Sequence, residues 1–413
     1  MAQRLRVIIS AYACEPGKGS EPEVGWQWAV QIARFHDVTV LTRANNRAGI
    51  EAGLHAVPPE HAPRFIYLDA PRWVLWLKRR APASQTWYYA LWQRLARRAI
   101  ARLVKEAPLD IVHHLSWATF RFHAAIWGHG LPSVWGPIAG AELCPWALLP
   151  WWHPQIFFAE LIRNFATLAQ TSALAPLAAR ARRSSATLVV SPEMQRALDR
   201  HGIASQILPT LAAFPPPVIA RRESSAKEPL RLLFVGRVMY WKGVELALRA
   251  LHRSGSQAVY AIAGDGPFLQ QARRLARELG IEQRVSFLGR IPYSAMEQIY
   301  RDSDVLLFPS LHDSGGNVVV EAMSHGMPVI CLDRGGPGLF VRQGETGLKI
   351  TTTGFDEVIR DLAEAICRYD AHRELLTEHG AAARQHVEEN FSWAKRAAAM
   401  DAIYHEAIRT FTP

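Results

Sequence analysis

The chain has 413 residues, of which 49% are hydrophobic, and it carries 47 basic against 37 acidic side chains, a formal net charge of +10. This length and apolar content suffice for two domains with separate cores, and the basic excess favours an anionic partner. We expect no nucleic-acid partner, because no recognised nucleic-acid-binding motif accompanies the basic residues.

Cysteine use and the absence of targeting signals favour a cytoplasmic protein. The four cysteines, Cys14, Cys144, Cys331 and Cys367, lack the spacing of metal ligands and are typical of a reducing compartment. The charged start leads directly into a strand, which does not resemble a signal peptide. The most apolar stretch, Trp146 to Ile162, is interrupted by prolines and by Glu160, so we predict no membrane-spanning helix.

The first half of the chain alternates strands and helices. Leu5 to Ser10 and Val38 to Leu41 are predicted strands, and a helix is predicted from about Trp26 to Phe35. A loop rich in glycine and proline, Cys14 to Gly25, lies between the first strand and this helix. Such a loop either brings its backbone close to a ligand or forms an ordinary surface turn.

Residues 71–105 are the most basic part of the chain. They include Arg72, Lys78, Arg79, Arg80, Arg94, Arg97, Arg98, Arg102 and Lys105, no acidic residue, and the tryptophans 73, 76, 87 and 92. Tyr88, Leu91, Leu95, Ala99 and Leu103 fall on one helical face. This pattern suits either an anionic membrane surface or a helix that packs on the sheet with a solvated basic face.

Two further features of the first half carry open interpretations. Trp146, Trp151, Trp152, Phe157 and Phe158 either extend the apolar surface of residues 71–105 or form a lid over an acceptor. Asp110 to His114 ends a predicted strand with two histidines. A buried, hydrogen-bonded structural histidine is one interpretation of either His113 or His114.

The proline-rich and polar stretch 209–229 is a predicted linker. It separates a first domain, residues 1–208, from a second domain, residues 230–391. A final helix is predicted from about residue 392 to residue 413.

Leu230 to Val235 is a predicted strand that is followed by a loop with two cations. Arg237 comes directly after Gly236, and Lys242 precedes Gly243. Arginine binds phosphate oxygens through its planar fork and lysine acts as a point charge, so the two suit a diphosphate leaving group. The alternative is a pair of surface cations at the end of a strand.

The sequence after this loop repeats the order strand, turn, helix. Val259 to Ala263 and Val285 to Leu288 are further predicted strands. The rhythm predicts a doubly wound α/β domain, in which ligands bind at the carboxyl ends of the strands.

The stretch from Leu306 to Gly336 reads as strand, glycine-rich turn, helix and strand. Gly315 and Gly316 let the backbone approach a ligand, and a helix is predicted to begin near Asn317. The unpaired N–H groups and partial positive charge of a helix start favour a phosphate. Asp313 before the helix and Glu321 inside it would flank a bound diphosphate.

Asp313, seven residues and Glu321 together resemble the paired-carboxylate motif of GT-B glycosyltransferases of family GT4, the glycosyl transferases group 1. The first position of that motif is normally Glu, and Asp313 is shorter by one methylene, about 1.5 Å of reach. Because a misplacement of about 1 Å can cost about a hundredfold in rate, Asp313 either works on a shifted loop or is not the sugar ligand. The alternative role for Asp313 is to cap the following turn or helix.

The resemblance implies an α/β protein of GT-B fold, with two doubly wound Rossmann-like domains that face a central cleft and a C-terminal helix that packs back on the first domain. It implies that Arg237 and Lys242 hold the donor diphosphate, Asp313 orients the sugar and Glu321 holds the ribose. The implied catalytic residues are Asp313, Arg237, Lys242 and His114. The implied donor-binding residues are Gly17, Gly19, Gly236, Arg290, Ile291, Gly315, Gly316, Asn317, Val318 and Glu321.

Within that set the resemblance places Gly17 and Gly19, with Glu21 nearby, in a loop that lies over the diphosphate and receives the acceptor. It places the backbone of Arg290 and Ile291 at the nucleotide base. It also places a histidine from a strand end beside the sugar, without deciding between His113 and His114.

The resemblance implies a retaining hexosyltransferase that uses a UDP-, GDP- or ADP-sugar and no other cofactor. The implied acceptor is a glycan or a lipid-linked molecule of cell-envelope polysaccharide or glycolipid synthesis. The enzyme would work in the cytoplasm or peripherally on the inner face of the cytoplasmic membrane. No metal is needed, because the two cations and the helix start supply positive charge. A catalytically silent sugar-nucleotide binder and a GT-B epimerase or phosphorylase are the alternatives.

Overall fold

A computed structural model describes residues 4–80, 84–117, 119–172, 179, 181–213 and 227–412. They form two compact units. The first unit comprises residues 1–141, 169–210 and 393–413, and the second unit comprises residues 142–168 and 211–392. Within the described part, no helix combines the length and the apolar content needed to cross a membrane.

The first unit is built on a parallel sheet. Its strands are β1 (Arg6–Ala11), β2 (Asp37–Thr42), β3 (Arg64–Tyr67), β4 (Ile111–Ser116), β5 (Ser133–Ile138), β6 (Ala186–Val189) and β7 (Gln206–Ile207). In the described residues they follow the order β3-β2-β1-β4-β5-β6-β7. All residues of β4 and β5 are buried, because helices cover both faces of a parallel sheet.

The helices along this part of the chain are α1 (Ser20–Ala33), α2 (Arg47–Leu54), α3 (Arg72–Arg80), α4 (Ser84–Glu106), α5 (Pro154–Gln170) and α6 (Pro192–Asp199). Helix α1 begins six residues before the predicted start at Trp26, so that prediction was wrong at its boundary. The reason is local: Gly19, in the left-handed region at φ 64°, precedes the helix, and Pro22 is tolerated within its first turn.

Residues 71–105 divide between two different environments. The fully buried face of α4 carries Trp92, Ala96 and Ile100. Leu91 and Leu95, on the predicted face, are only partly buried, so the buried face is rotated about the helix axis from the predicted one. Helix α4 therefore packs into the core of the first unit and leaves its arginines outside. Helix α3 instead exposes Trp73 and Trp76, at 68% and 54%.

The second unit is also built on a parallel sheet. Its strands are β8 (Arg231–Val235), β9 (Val259–Ala263), β10 (Val285–Gly289), β11 (Val305–Phe308), β12 (Val329–Leu332) and β13 (Gly347–Ile350). The described strands follow the order β10-β9-β8-β11-β12-β13. The remaining helices are α7 (Val244–Ser254), α8 (Leu269–Glu278), α9 (Met296–Arg301), α10 (Asn317–Ser324), α11 (Gly335–Phe340), α12 (Phe355–Ala371), α13 (Glu374–Asn390) and α14 (Trp393–Arg409).

The prediction of two doubly wound units is confirmed, and the strand orders show where each can bind a ligand. The chain reverses its direction of winding between β1 and β4 in the first unit and between β8 and β11 in the second. At such a switch point the loops leave the sheet on opposite sides and open a crevice at the carboxyl ends of the strands.

Two segments belong to a different unit from the residues that precede them in the sequence. Residues 142–168, which the predicted boundary put in the first domain, cluster with the second unit. The buried carboxylate of Glu245 in α7 gives a physical reason, because Trp152 Nε1 donates to it at 3.1 Å and His153 Nε2 lies 3.0 Å from it. Helix α14 belongs to the first unit, where Trp393 meets Trp28 edge to face at 5.6 Å. Most of the predicted linker 209–229 lies outside the described residues.

Gly243 sets how closely the loops after β8 and β11 approach each other. Its φ is 77°, and a Cβ added there would lie 1.9 Å from the carbonyl oxygen of Pro309. Gly255, at the end of α7, has a similar φ of 63° with open space around it. A side chain at Gly255 would therefore cause backbone strain alone, whereas a side chain at Gly243 would cause both strain and a collision.

We predict that Gly255→Ala loses about 1–2 kcal/mol of unfolding free energy through strain alone. Gly243→Ala should lose several-fold more, because the strain is joined by a backbone collision. Urea denaturation of both variants measures the difference. Equal losses would mean that the contact with Pro309 is not a constraint on this unit.

Candidate active site

A group of polar side chains lies at the switch point of the second unit. The loop after β8 carries Arg237 and Lys242, and the loop after β11 carries Asp313. Lys242 Nζ lies 2.5 Å from Asp313 Oδ2, and both side chains are largely buried. The structure thus brings together two of the predicted catalytic residues, which are 71 positions apart in the sequence.

The carboxylate of Asp313 also receives backbone hydrogen bonds. Its Oδ1 accepts from the N–H of Gly315 at 3.2 Å and from the N–H of Gly316 at 3.0 Å. This is the turn-capping role that stood as the alternative for Asp313, and it coexists with the ion pair to Lys242. One ammonium and two amide N–H groups therefore converge on a single anion.

Asp313 is held in its ionised form. Burial would raise the pKa of its carboxyl, but the Lys242 charge, the Lys242 hydrogen bond and the two amide hydrogen bonds outweigh burial and lower the pKa. The same donors that stabilise this carboxylate are suited to phosphate oxygens.

The start of α10 is shaped by close packing of glycines. Gly316 precedes the helix in the left-handed region at φ 56°, and a Cβ there would lie 2.9 Å from Pro337 N. Gly335 would place a Cβ 2.3 Å from the carbonyl oxygen of Asp313. The predicted helix start near Asn317 is confirmed, and the neighbouring loop leaves no room for larger residues.

Asn317 and Val318 offer further donors at the same helix end. As the first two residues of α10, their N–H groups have no intrahelical acceptor. The side-chain Oδ1 of Asn317 is buried, and no described residue donates to it. The helix start thus retains unsatisfied polar groups beside Asp313, as a ligand site would.

Glu321 lies one turn inside α10, and its surroundings differ from those of Asp313. Its Oε2 accepts a hydrogen bond of 3.0 Å from the hydroxyl of Tyr300, and burial raises the pKa of its carboxyl. A carboxylate with a neutral partner is suited to accept hydrogen bonds from sugar hydroxyls. Tyr300, on α9, stacks on His325 at 5.0 Å and was missed by sequence reasoning.

Arg237 and the loop after β10 lie at the same edge of the sheet. Arg237 is exposed, and among the described residues no carboxylate pairs with it. Arg290 is exposed and Ile291 half-buried, directly after β10. A Cβ added to Gly264 would lie 1.8 Å from the carbonyl oxygen of Gly236, which itself has a φ of 143°. Glycine is therefore also needed where the loops after β8 and β9 meet. Among the described residues, no hydrogen bond or ion pair joins Arg290 to Asp313.

The segment 142–168 supports the loop that carries Asp313. Ser314 Oγ donates to Glu142 Oε2, and His312 Nε2 lies 3.3 Å from Glu160 Oε2. The ring of His312 stacks on Trp241 at 5.4 Å. These contacts join residues far apart in sequence, 172 positions for Ser314 and Glu142, so no local pattern announced them.

In the first unit, the predicted glycine loop lies at the other switch point. Gly17 and Gly19 both have positive φ, 71° and 64°, which explains the need for glycine. The N–H of Gly17 donates to Glu23 Oε2 at 2.6 Å, so Glu23 closes this loop. Sequence reasoning had singled out Glu21 and missed Glu23.

Glu21 connects this loop to the end of β4. Its Oε2 accepts a 3.3 Å hydrogen bond from the N–H of Trp117, whose φ of 54° is in the left-handed region. Burial raises the pKa of the Glu21 carboxyl. A non-glycine residue in this conformation costs energy, and such strain is concentrated at functional sites.

The two histidines of β4 point to opposite sides of the sheet. His113 Nδ1 lies 2.6 Å from the hydroxyl of Tyr404 and its Nε2 lies 2.7 Å from the carbonyl oxygen of Gly136. Its pKa is lowered by burial to about 4, so it is a neutral structural histidine.

His114 is buried on the other side of the sheet. The hydroxyl oxygen of Tyr89 lies 3.1 Å from its Nε2, which is within hydrogen-bonding distance. Burial lowers its pKa to about 3, and no described residue bonds to its buried Nδ1. The imidazole is therefore uncharged at neutral pH. Its assignment as a catalytic residue stays a prediction.

Known proteins resemble this chain in sequence over its second half and in fold over almost all of it. The family model described as glycosyl transferases group 1 matches residues 218–386. The D-inositol 3-phosphate glycosyltransferase of Corynebacterium glutamicum (strain R) is 33% identical over 184 residues, which cover 42% of this chain and 43% of that protein. The chain thus spans less than half the length of this curated relative.

Solved structures resemble almost the whole chain. Anabaena HepE in complex with UDP has a TM-score of 0.63 at 16% identity, with 97% of this chain and 100% of that chain covered. The lipopolysaccharide outer core galactosyltransferase WaaB in its apo form has a TM-score of 0.66 at 17% identity, with 97% and 99% covered. At such identities the likeness shows the fold, and the GT-B prediction is confirmed. Over residues 218–386 the chain is therefore similar to the glycosyl transferases group 1 family.

Proposed function

We propose that this protein is a retaining glycosyltransferase that moves a hexosyl group from a nucleotide-sugar to a glycan or lipid-linked acceptor in cell-envelope polysaccharide or glycolipid synthesis. The observation that carries the proposal is the convergence of Lys242 Nζ and the N–H groups of Gly315 and Gly316 on one anion. These donors lie at the switch point of a group 1 domain, where ligands of doubly wound sheets bind.

The donor is a nucleotide-sugar, and HepE, one of the similar structures, was solved with UDP and with UDP-glucose. In the proposed complex the diphosphate takes the place that the Asp313 carboxylate now holds against Lys242 and the two amides. The start of α10 at Asn317 and Val318 adds donors, and Arg237 supplies a second cation. These groups would stabilise the charge that grows on the departing diphosphate.

The proposed roles of the two carboxylates follow from their partners. Asp313, once released from Lys242, would orient the sugar, and Glu321 would hold the ribose hydroxyls. Retention would follow from attack on the same face from which the diphosphate departs, with the leaving phosphate accepting the acceptor's proton. No protein group is then needed as a nucleophile.

The first unit supplies the proposed acceptor loop. Gly17 and Gly19 would bring its backbone close to an acceptor, and Glu21 would receive an acceptor hydroxyl. Burial raises the pKa of this carboxyl, and its Oε2 already accepts a hydrogen bond from the N–H of Trp117.

We predict that Arg237→Ala lowers kcat at least a hundredfold without loss of unfolding free energy, because this side chain is exposed and unpaired among the described residues. Lys242→Ala should lower kcat similarly and also destabilise the second unit, because it leaves the buried Asp313 carboxylate without its cation. Release of UDP, GDP or ADP from the matching sugar donor, together with thermal denaturation, measures both effects.

Arg277→Ala is the matched control, because Arg277 is an exposed arginine on α8 of the same unit. It should leave turnover unchanged. Near-normal turnover in both Arg237→Ala and Lys242→Ala would remove the proposed mechanism.

A catalytically silent sugar-nucleotide binder is the competing candidate, favoured by the engagement of Asp313 with Lys242. Asp313→Asn separates the two functions. We predict that it binds the nucleoside diphosphate as tightly as the unmodified protein or more tightly, since Lys242 is freed from a competing anion. Transfer and slow donor hydrolysis should fall at least tenfold, because the sugar loses its orienting carboxylate. Calorimetric titration and product analysis provide the two readouts, and a chain with no donor turnover before substitution would be a binder.

We also propose that residues 71–105 attach the protein peripherally to an anionic membrane surface. Helix α3 supports this, because its exposed Trp73, Trp76 and Leu77 are accompanied by Arg72 and Arg79. Aromatic side chains and cations together suit the lipid headgroup region, where each cation contributes about 1 kcal/mol.

The prediction is that Trp73→Gln with Trp76→Gln reduces binding to phosphatidylglycerol vesicles at low ionic strength at least tenfold, as followed by co-sedimentation. Phe35→Gln, at another exposed aromatic of the first unit, is the control and should bind normally. Binding that is unaffected by the double substitution would argue against α3 as the attachment site.

A further inference from the structure

Two cavities adjoin in the first unit. The larger has a volume of about 580 Å³ and the smaller a volume of about 310 Å³. Arg97 of α4 lines both, so the two cavities meet at this side chain. Small-molecule sites in proteins have volumes of about 300–1,000 Å³, and both cavities reach that size. We call the two together the arginine groove, after the four arginines that line them: Arg94, Arg97, Arg182 and Arg183.

The arginine groove lies at the edge of the sheet opposite to the predicted acceptor loop. Gly128 and Leu131, just before β5, and residues 182–185, just before β6, line its larger cavity. The loop with Gly17 and Gly19 instead follows the carboxyl end of β1. Because the strands of this sheet are parallel, their amino ends share one edge, so the groove is separate from the switch point.

The fully ionised side chains that line the groove are all cationic. The four arginines are exposed, and in the described part of the chain no carboxylate pairs with any of them. The lining residues of both cavities include no aspartate or glutamate. A cleft lined by one sign of charge concentrates ligands of the opposite sign. The groove therefore favours an anion.

The arginines are held at the groove by contacts that leave donors available. Arg182 Nη2 donates to the carbonyl oxygen of His201 at 3.1 Å, and a guanidinium has five N–H donors. A Cβ added to Gly128, whose φ is 85°, would lie 2.8 Å from Nη2 of Arg97. The absence of a side chain at Gly128 thus allows the Arg97 guanidinium to lie close to the backbone before β5.

Two serine hydroxyls add neutral donors to the larger cavity. Ser184 Oγ accepts from Trp127 Nε1 at 2.9 Å, so its own hydroxyl hydrogen remains to donate. Ser185 Oγ accepts from the N–H of Ser133 at 3.1 Å and has the same capacity. Hydroxyl and guanidinium donors together are suited to the oxygens of a phosphate group.

The smaller cavity has a buried amide donor in its wall. Gln93 lines this cavity, and its Oε1 accepts from the N–H of Ala125 at 2.9 Å. Its buried Nε2 has no partner in hydrogen-bond geometry among the described residues, although the Tyr89 hydroxyl is nearby. A buried donor without an acceptor is costly, and the oxygen of a bound anion would satisfy it.

We infer that the arginine groove binds a small soluble ligand that carries two phosphate groups. Arginine binds phosphate through two parallel N–H donors. A phosphate group carries a charge of about −1.5 to −2 at neutral pH, so two such groups balance four arginines. The adjoining cavities provide room for one phosphate on each side of Arg97.

The lining favours a soluble ligand over a lipid headgroup. The large exposed apolar side chains of the first unit, such as Trp73 and Trp76, do not line either cavity, so an acyl chain has no apolar surface there. This inference goes beyond the proposed transfer reaction. It also differs from the proposed membrane contact, which is supported by the exposed tryptophans of α3.

The test is calorimetric titration of the full chain with glucose 1,6-bisphosphate at about 0.1 M salt, where exposed cations are only partly screened. Glucose 6-phosphate, with one phosphate, should bind at least about tenfold more weakly. Arg97→Gln with Arg182→Gln should weaken binding of the bisphosphate about a hundredfold, because each lost charge-assisted contact costs about tenfold or more. Thermal denaturation without ligand should be unchanged, since both side chains are exposed.

Arg98→Gln with Arg102→Gln is the matched control. Both residues are exposed on α4, line neither cavity, and remove the same charge. This pair should bind the bisphosphate nearly as the unmodified protein does. Equal weakening by the two pairs would mean that only net charge matters, and would contradict a built site.

Four other results would overturn the inference. The unmodified protein fails to bind the bisphosphate, or it binds glucose 6-phosphate equally well. The substitutions at Arg97 and Arg182 weaken binding to phosphatidylglycerol vesicles but not to the bisphosphate, which would assign the arginines to a lipid surface. UDP displaces the bisphosphate, which would place the bisphosphate at the switch point of the second unit. A separate UDP titration tests the proposed function, because the Arg97 and Arg182 variant should bind UDP as the unmodified protein does.

Discussion

The second unit depends on one electrostatic constraint: a buried carboxylate between two loops must be satisfied. Asp313 meets this need with Lys242 on one side and the amides of Gly315 and Gly316 on the other. An unpaired charge at this depth would cost several kcal/mol, so the loops after β8 and β11 are held together. The glycines at 243 and 335 follow from that approach, because a side chain at either would collide with backbone.

The same arrangement connects stability with function. A site that binds diphosphate must aim several donors at one point, and donors aimed at an empty point are costly when they are buried. Asp313 satisfies them within the protein. A shorter side chain than the usual glutamate suits this role, because it allows the carboxylate to turn back to the amides two and three residues ahead.

The segment 142–168 lies between two parts of the first unit in the sequence but packs in the second unit. It lies before β6 of the first unit, yet its side chains satisfy Glu245 and support His312 in the second unit. Because these polar contacts stabilise the inward face of α5, the outward face is free to be apolar. Packing and surface chemistry are thus linked through a single helix.

The sequence alone determined the features that depend on neighbouring residues. These were the strands, the helix start at Asn317 and the glycine loops, since turn chemistry and apolar runs act over a few positions. Only the tertiary structure decided which partners those groups meet: Lys242 with Asp313, Tyr300 with Glu321, and Tyr404 with His113. It also decided the buried face of α4 and the unit to which 142–168 belongs. Such contacts join residues up to 291 positions apart, and no local pattern carries information over that separation.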